Sequence, residues 1–352
     1  MNTYQTVYIA IDLHSKSSMI GYMNEEGKYI GQQQVKTTDS NLVGLVAAIP
    51  ADRKYLTLEQ GNMAFWAANL LHDFVDDLII CNPRHNYLIS RSQNKNDSID
   101  TFRLCKLLRL GELKAIWNPK QLGKRRLFYH QVKEYQRLIK ALSTNKRQLQ
   151  STLRHWGYNL KLVKSNYNRP ESILQQIKEQ TLRQELAAKF DYIGMITQQK
   201  DRQLKRIKQT GSNYREIAEF LKMPGLGPVG AHTFSAYIQT PHRFRRRGQL
   251  IQFCQLGIRK HSSDGRRLRS ERLSKAGHGC LKNLAHVAWK VAMGQDNEVS
   301  RFYHASLERC QNPVKARLNT QRKILITLWS LWKNNQSYNP EKFLSKNGDS
   351  TR

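Results

Sequence analysis

Short apolar runs that end in an acid alternate with helical spacings over the first third of the chain. Residues 6–12 (Thr-Val-Tyr-Ile-Ala-Ile-Asp) form one such run and predict a buried strand. Residues 17–24 and 28–35 predict two more strands, and the turn Glu25-Glu26-Gly27 between them predicts an antiparallel hairpin. A helix is expected over 40–49, then a strand at Tyr55-Leu56-Thr57-Leu58-Glu59, a helix over 62–75 and a strand at Leu78-Ile79-Ile80-Cys81 that Asn82-Pro83 ends. Helices at 84–92 and 98–110 complete the unit. A strand hairpin followed by alternating helix and strand implies a mixed sheet with helices on its faces. In open α/β sheets, sites gather beyond the carboxyl ends of strands, and Asp12 and Glu59 both stand there.

From about residue 121 the period lengthens. Val132, Tyr135, Ile139, Leu142, Leu149, Leu153 and Trp156 keep a heptad-like spacing, with Lys146 filling one seam position. Gly157 to Pro170 reads as a polar loop. A second long helix is expected after it, with Ile173, Ile177, Leu186, Phe190 and Ile193 on its apolar side. Two long helices and a loop predict an antiparallel hairpin that spaces two domains or dimerises. A third region opens at Pro224-Gly225-Leu226-Gly227-Pro228 and ends in helices carrying Trp289, Trp329 and Trp332. The fold class is thus α/β plus all-α. The expected domains are 1–118, 119–221 and 222–340, with 341–352 a frayed polar tail.

Charge sharpens this division. The 352 residues carry 58 Lys and Arg against 27 Asp and Glu, a formal net charge of +31. Residues 1–118 hold 12 basic and 12 acidic side chains, so the whole excess lies in 119–352, with 46 against 15. A neutral globule joined to a strongly basic remainder suggests a chemistry domain with nucleic-acid-gripping domains. Five scattered cysteines with no Cys-x-x-Cys exclude a zinc-ribbon pattern and make a reducing cytoplasm the simplest compartment. No signal peptide and no apolar run long enough to span a membrane is expected.

Asp97 and Asp100, three apart at the start of a predicted helix, share one helical face. Two carboxylates that close repel unless a cation lies between them. With Asp12 and Glu59 they make a set of four acids suited to Mg²⁺, a hard ion that prefers oxygen. Each acid alone is more readily read as a solvated surface group, and it is the four in this order on this sheet pattern that favour a metal site. The Pro224–Pro228 segment resembles a helix-hairpin-helix turn, in which Gly225 and Gly227 would let backbone amides reach a DNA phosphate; it is also readable as a bare tight turn. Residues 241–275 hold 11 Lys and Arg and two acids. Its cations Arg243, Arg245, Arg246, Arg247, Arg259, Lys260, Arg266, Arg267, Arg269, Arg272 and Lys275 are expected to contact phosphate. Within it lies His261-Ser262-Ser263-Asp264-Gly265. Spacing alone does not single out Ser263, because a serine needs a base or metal to become a nucleophile.

Taken in order, these segments resemble the DEDD insertion-sequence transposases, the IS one-ten and IS eleven-eleven group, which includes Piv-type DNA invertases. The resemblance runs over nearly the whole chain. It rests on Tyr8-Ile9-Ala10-Ile11-Asp12, Leu58-Glu59-Gln60-Gly61, Asn96-Asp97-Ser98-Ile99-Asp100, Pro224–Pro228, Ser262-Ser263-Asp264-Gly265 and Leu273-Ser274-Lys275-Ala276-Gly277-His278. It implies a RuvC-like ribonuclease H fold, a coiled-coil insertion and a C-terminal transposase domain. It implies Mg²⁺ on Asp12, Glu59, Asp97 and Asp100, and a transient phosphoserine link at Ser263, with Ser262 second. It also implies donor and target duplex DNA, dimers assembling to tetramers with acids and serine from different subunits, and for some members a structured bridge RNA. This chain departs from the pattern at Gln60-Gly61, where a Thr-Gly or similar pair is usual, and at Asp264, which separates Ser263 from Gly265. Two readings outside this one stay open: a junction-resolving metal nuclease in which water attacks, and a non-catalytic nucleic-acid-binding protein.

Overall fold

The computed structural model describes residues 4–82, 97–116, 123–259, 262–263, 266–267 and 272–345. It gives the backbone alone at Asp97–Ser98, Arg259, Ser262–Ser263 and Arg266–Arg267. The chain divides into two compact units, 1–121 and 122–352. No helix among the described residues is long and apolar enough to cross a membrane.

The first unit is a five-stranded mixed sheet with helices on both faces. Its strands are β1 (Tyr4–Leu13), β2 (Ser17–Asn24), β3 (Tyr29–Lys36), β4 (Ala51–Glu59) and β5 (Asp77–Cys81), in the order β3-β2-β1-β4-β5. β1–β2 and β2–β3 are antiparallel, whereas β1–β4 and β4–β5 are parallel. This arrangement is consistent with a ribonuclease H-like transposase fold. β4 begins earlier than its apolar run, because its polar first residues still pair with Tyr4–Val7 of β1.

Strand alternation sorts the core into two layers. Val7, Ile9, Ile11, Ile20, Leu56, Leu58 and Ile80 face α1 (Asp39–Ala48) and α2 (Ala64–Leu71), whose Leu42, Val46, Ala67 and Leu71 are fully buried. α2 is shorter than the expected 62–75 and tightens into a 3₁₀ turn at His72–Phe74. Ala10, Met23 and Cys81 face the opposite way, onto Leu104, Cys105 and Leu108 of α3 (Asp97–Arg109). The helix expected at 84–92 lies outside the described residues.

The second unit is helical. α4 (Gly123–His155) and α7 (Gln180–Gly211) run the length of an antiparallel hairpin. The connection is not a bare loop. It folds into α5 (Lys164–Asn168) and α6 (Glu171–Leu174), so Ile173 and Ile177 precede the second long helix rather than belong to it. These short elements close a distal core of Leu149, Leu153, Ile173, Ile177, Leu182, Leu186, Phe190 and Ile193. α5 also sets the Tyr167 ring 4.0 Å from Lys146 Nζ. That contact explains how a cation occupies a seam position. Burial, with Lys200 and Lys164 nearby, lowers the Lys146 pKa.

The hairpin base merges with a bundle of α8 (Arg215–Phe220), α9 (Pro228–Ile238), α10 (Arg247–Phe253), α11 (Gly279–Ala292), α12 (Glu298–Cys310), α13 (Pro313–Lys333) and α14 (Pro340–Leu344). Residues 341–345, expected in a frayed tail, instead carry Phe343, which is 1% exposed in the bundle core. An ionic cluster fixes the base of α4. Arg125 Nη1 bonds Glu216 Oε1 and Ser235 Oγ, and the Ser235 hydroxyl donates to the same carboxylate oxygen at 2.6 Å. The guanidinium lies 3.8 Å from the Tyr214 ring centroid and 5.0 Å from that of Trp332.

Candidate active site

The parallel pairing of β1 with β4 decides where two of the predicted acids stand. Ile11 pairs with Leu58, so Asp12 and Glu59 follow at the adjacent carboxyl ends of neighbouring strands, whose separation is about 4.8 Å. By alternation Asp12 continues the Tyr8–Ala10 side and Glu59 the Tyr55–Thr57 side, which is the face that α3 covers. Sequence reading missed His14, two residues beyond Asp12 and just past the end of β1. Its Nε2 lies 3.4 Å from Asp12 Oδ2. The spacing Asp12-Leu13-His14 at a strand end was the available signal.

α3 brings the third acid to the same sheet face. Gly21 permits a close approach here: a Cβ would lie 2.1 Å from the Tyr29 hydroxyl and 3.1 Å from Thr101 Cβ. Cys105 Sγ then reaches the Gly21 carbonyl at 3.3 Å, and the hydroxyls of Tyr29 and Thr101 are 3.1 Å apart. Asp100 directly precedes the fully buried Thr101. Its Oδ1 is buried with no hydrogen-bond partner, and Arg103 Nη1 stands 4.0 Å away. A buried carboxylate oxygen left in that state is costly unless a cation completes it. Asp97 is the first residue of α3, but its side chain lies outside those described. Among the described residues no three His, Cys, Asp or Glu side chains are grouped closely enough to hold an ion. The donor types still fit a hard divalent cation: carboxylates at two adjacent strand ends lie on the face covered by a helix that carries a buried carboxylate oxygen with no hydrogen bond.

The predicted serine lies on a β-arm of the second unit. β6 (Ile258–Arg259) pairs with β9 (Arg272–Leu273), and β7 (Ser262–Ser263) pairs with β8 (Arg266–Arg267), both antiparallel. Ser263 is opposite Arg266, so the connection between them is two residues, Asp264 and Gly265. Asp-Gly is a favoured pair for a two-residue hairpin connection. The arm's base is held from three sides. Ser274 N donates to Gly257 O at 2.8 Å, Gln255 Nε2 to Lys275 O at 2.8 Å, and Arg322 Nε and Nη2 both to Leu256 O, at 3.0 and 2.8 Å.

Comparison with known families decides the class. Residues 9–156 match the model of the IS110 DEDD transposases, described as Transposase, and residues 218–304 match the one described as Transposase IS116/IS110/IS902 family. The two segments contain all four acids and both serines. The chain belongs to the IS110 family of DEDD transposases. It is thus an enzyme that acts on DNA, of a class generally dependent on divalent metal. A search of curated protein sequences finds no match.

In this transposase the two glycines of the predicted turn have different surroundings. Gly225 has φ +79°, and a Cβ there would lie 2.1 Å from the Ala288 carbonyl oxygen of α11. Its glycine is required for packing. Gly227 caps the exposed N-terminus of α9 with open space around its Cβ position and no side-chain cap bond. Arg245, Arg246 and Lys275 are exposed, and Arg247 is half-buried. Arg243, expected at phosphate, instead lies 4.3 Å over the Phe253 ring and donates to Tyr237 O at 3.3 Å. Burial pushes its pKa down to about 10. Lys260 and Arg269 lie outside the described residues, as do the side chains of Ser263, Arg266 and Arg267.

Proposed function

We propose that this transposase cuts and rejoins DNA strands through a transient bond to Ser263, with Mg²⁺ held by Asp12, Glu59, Asp97 and Asp100. The observation that carries this reading is the register of β1 and β4, which sets Asp12 beside Glu59 on the face covered by α3, where a carboxylate oxygen of Asp100 is buried without a hydrogen-bond partner. Bound there, Mg²⁺ supplies positive charge for the attacked phosphate. The serine hydroxyl adds to phosphorus, so an Oγ–P bond forms and one P–O bond of the backbone breaks. The serine's proton passes to a carboxylate or water, and the departing strand leaves as a hydroxyl. Attack by another strand's hydroxyl reverses these changes and frees the serine. The number of phosphodiester bonds is conserved, so no nucleotide hydrolysis is required. Guanidinium groups of the β-arm, Arg266 and Arg267 among them, stabilise charge on the phosphoryl group in flight. The amide end of α9 at Gly227 and the cations Arg245, Arg246, Arg247, Lys260, Arg269 and Lys275 hold the backbone.

In this reading, residues 1–118 act as a RuvC-like unit, 119–221 as a coiled-coil hairpin and 222–340 as the serine-bearing transposase domain. Dimers pair into tetramers, and a structured bridge RNA selects donor and target DNA. The covalent step is tested with a nicked suicide substrate, on which wild type is expected to leave a protein–DNA adduct. Adducts that persist in Ser263→Ala, or that wild type never forms, would sink the serine assignment; cleavage without any adduct would instead favour a nuclease. RNA that co-purifies and whose loops match flanking DNA tests the guide. Its absence would favour direct readout of DNA, as in an invertase.

A further inference from the structure

A groove of about 990 Å³ opens between α12, α13 and α14 of the second unit. Its walls carry five cations, Arg247, Arg309, Arg322, Lys323 and Lys342, against one carboxylate, Glu308. Four of the five lie beyond residue 304 and so outside both matched segments. Cations gathered in one cleft repel each other, and the low-dielectric walls focus their field on whatever anion enters. Arg309 makes no ion pair among the described residues, and its guanidinium bonds the Ala305 carbonyl of its own helix turn, at 3.3 Å, beside the exposed Glu308. The lining also carries hydroxyl and amide groups, among them Asn319, Ser330 and Asn339, which can donate hydrogen bonds to phosphate or sugar oxygens, over an apolar floor that includes Ile326 and Leu331. The rings there, partly buried Phe302 and fully buried Phe343, pack edge to face at 5.7 Å with Lys323 Nζ 5.7 Å from each centroid, so they form a floor rather than a stacking platform. These features suit a sugar–phosphate backbone better than bases or a small apolar ligand.

We propose that this groove is a second binding site for the phosphodiester backbone of a nucleic acid, sharing only Arg247 with the cations of residues 245–275. It rests on the enzyme's acting on nucleic acid, and it is independent of the Ser263 and Mg²⁺ assignments. Arg322 gives the site a consequence. The same guanidinium that lines the groove grips the Leu256 carbonyl at the base of the β-arm. A backbone seated in the groove is thereby registered against the arm.

The test is equilibrium binding of the full chain across a salt series, with duplex DNA in one arm and a folded RNA in the other. Arg309→Gln with Lys342→Gln removes two exposed groove cations that the catalytic reading does not use. The slope of log K against log salt is expected to shrink by about 1.8 on duplex DNA, so the loss of affinity between 50 and 200 mM salt becomes about 12-fold smaller. Glu308→Gln removes the groove's carboxylate and is expected to tighten binding severalfold, a gain that misfolding cannot produce. A change confined to one arm assigns the site to that nucleic acid. The proposal is overturned if neither arm changes in the double variant, or if its loss is not matched by a gain in Glu308→Gln. Adduct formation on the suicide substrate reports separately on Ser263.

Discussion

Replacing Arg125 should destabilise the helical unit far more than an ordinary surface change. Glu216 is 8% exposed, and Arg125 is its cationic partner. In Arg125→Ala the carboxylate keeps only the Ser235 hydroxyl and stays buried. Breaking a buried pair in this way costs about 3–5 kcal/mol. Loss of the guanidinium from the Tyr214 and Trp332 rings adds about 1 kcal/mol. That total is a large share of the roughly 5–15 kcal/mol that holds a domain folded. Urea is the appropriate denaturant, since guanidinium salt would screen the pair being measured. Hydrogen exchange of peptides from α8 and α9 localises the loss. The companion variant Arg125→Met with Glu216→Leu removes both charges and fills the space with apolar groups, and it should recover to within about 1 kcal/mol of wild type. A loss below about 1 kcal/mol in Arg125→Ala, or no recovery in the double variant, would refute the argument that the buried charge, rather than the contact area, sets the cost.

Three other outcomes follow from the geometry. Gly225→Ala should cost about 2–3 kcal/mol by thermal unfolding, from positive φ and the collision with the Ala288 carbonyl. Gly227→Ala should cost under about 1 kcal/mol yet weaken DNA binding, and equal stability losses at both glycines would contradict the distinction. Asp100→Asn should abolish strand cleavage while changing metal-free stability by less than about 1 kcal/mol, because relief of charge on a buried oxygen with no hydrogen bond offsets loss of the Arg103 ion pair; a larger stability loss would count against a cation-binding role. Stability should fall as pH drops below about 6.5. Burial lowers the pKa of His232, and burial with Arg243 and Lys133 nearby lowers that of His278, so the unfolded chain binds more protons in that window. A His232→Gln, His278→Gln double variant should flatten the slope between pH 7 and 5 in urea titrations.

The strands of the first unit were legible because each is a short apolar run with a turn behind it, and β1 to β3 and β5 fall within a residue or two of the pattern. What alternation along one strand cannot reveal is which strand lies beside it. The parallel β1–β4 pairing that sets Asp12 next to Glu59 spans an intervening hairpin and helix, and it is a property of the closed sheet. His14 was overlooked because a lone histidine has no period. The run of arginines after residue 240 looked uniform, but Arg243 differs from Arg245 in standing over Phe253, a contact made by residues ten apart in sequence. Phe343 was hidden in a polar stretch. One buried aromatic residue is enough to anchor a turn of helix, and hydropathy averages dilute it.

The long hairpin has two apolar knots rather than one continuous seam. On α4 nothing is buried between Tyr135 and Leu149, and on α7 only Ile196 is buried between Ile193 and Ile207. The distal knot closes on itself through α6, and the proximal knot belongs to the bundle. A rod built this way does not bend uniformly. Its compliance is concentrated where side-chain packing is thinnest, so thermal or applied torque on the distal end is taken up at mid-length while both knots keep their shape. The two ends are then separate cooperative units, and their amide protection should part company at mid-hairpin. The hairpin would behave as a jointed strut, and the stiffness of that joint can be tuned by a single substitution at Ile139, which belongs to neither knot.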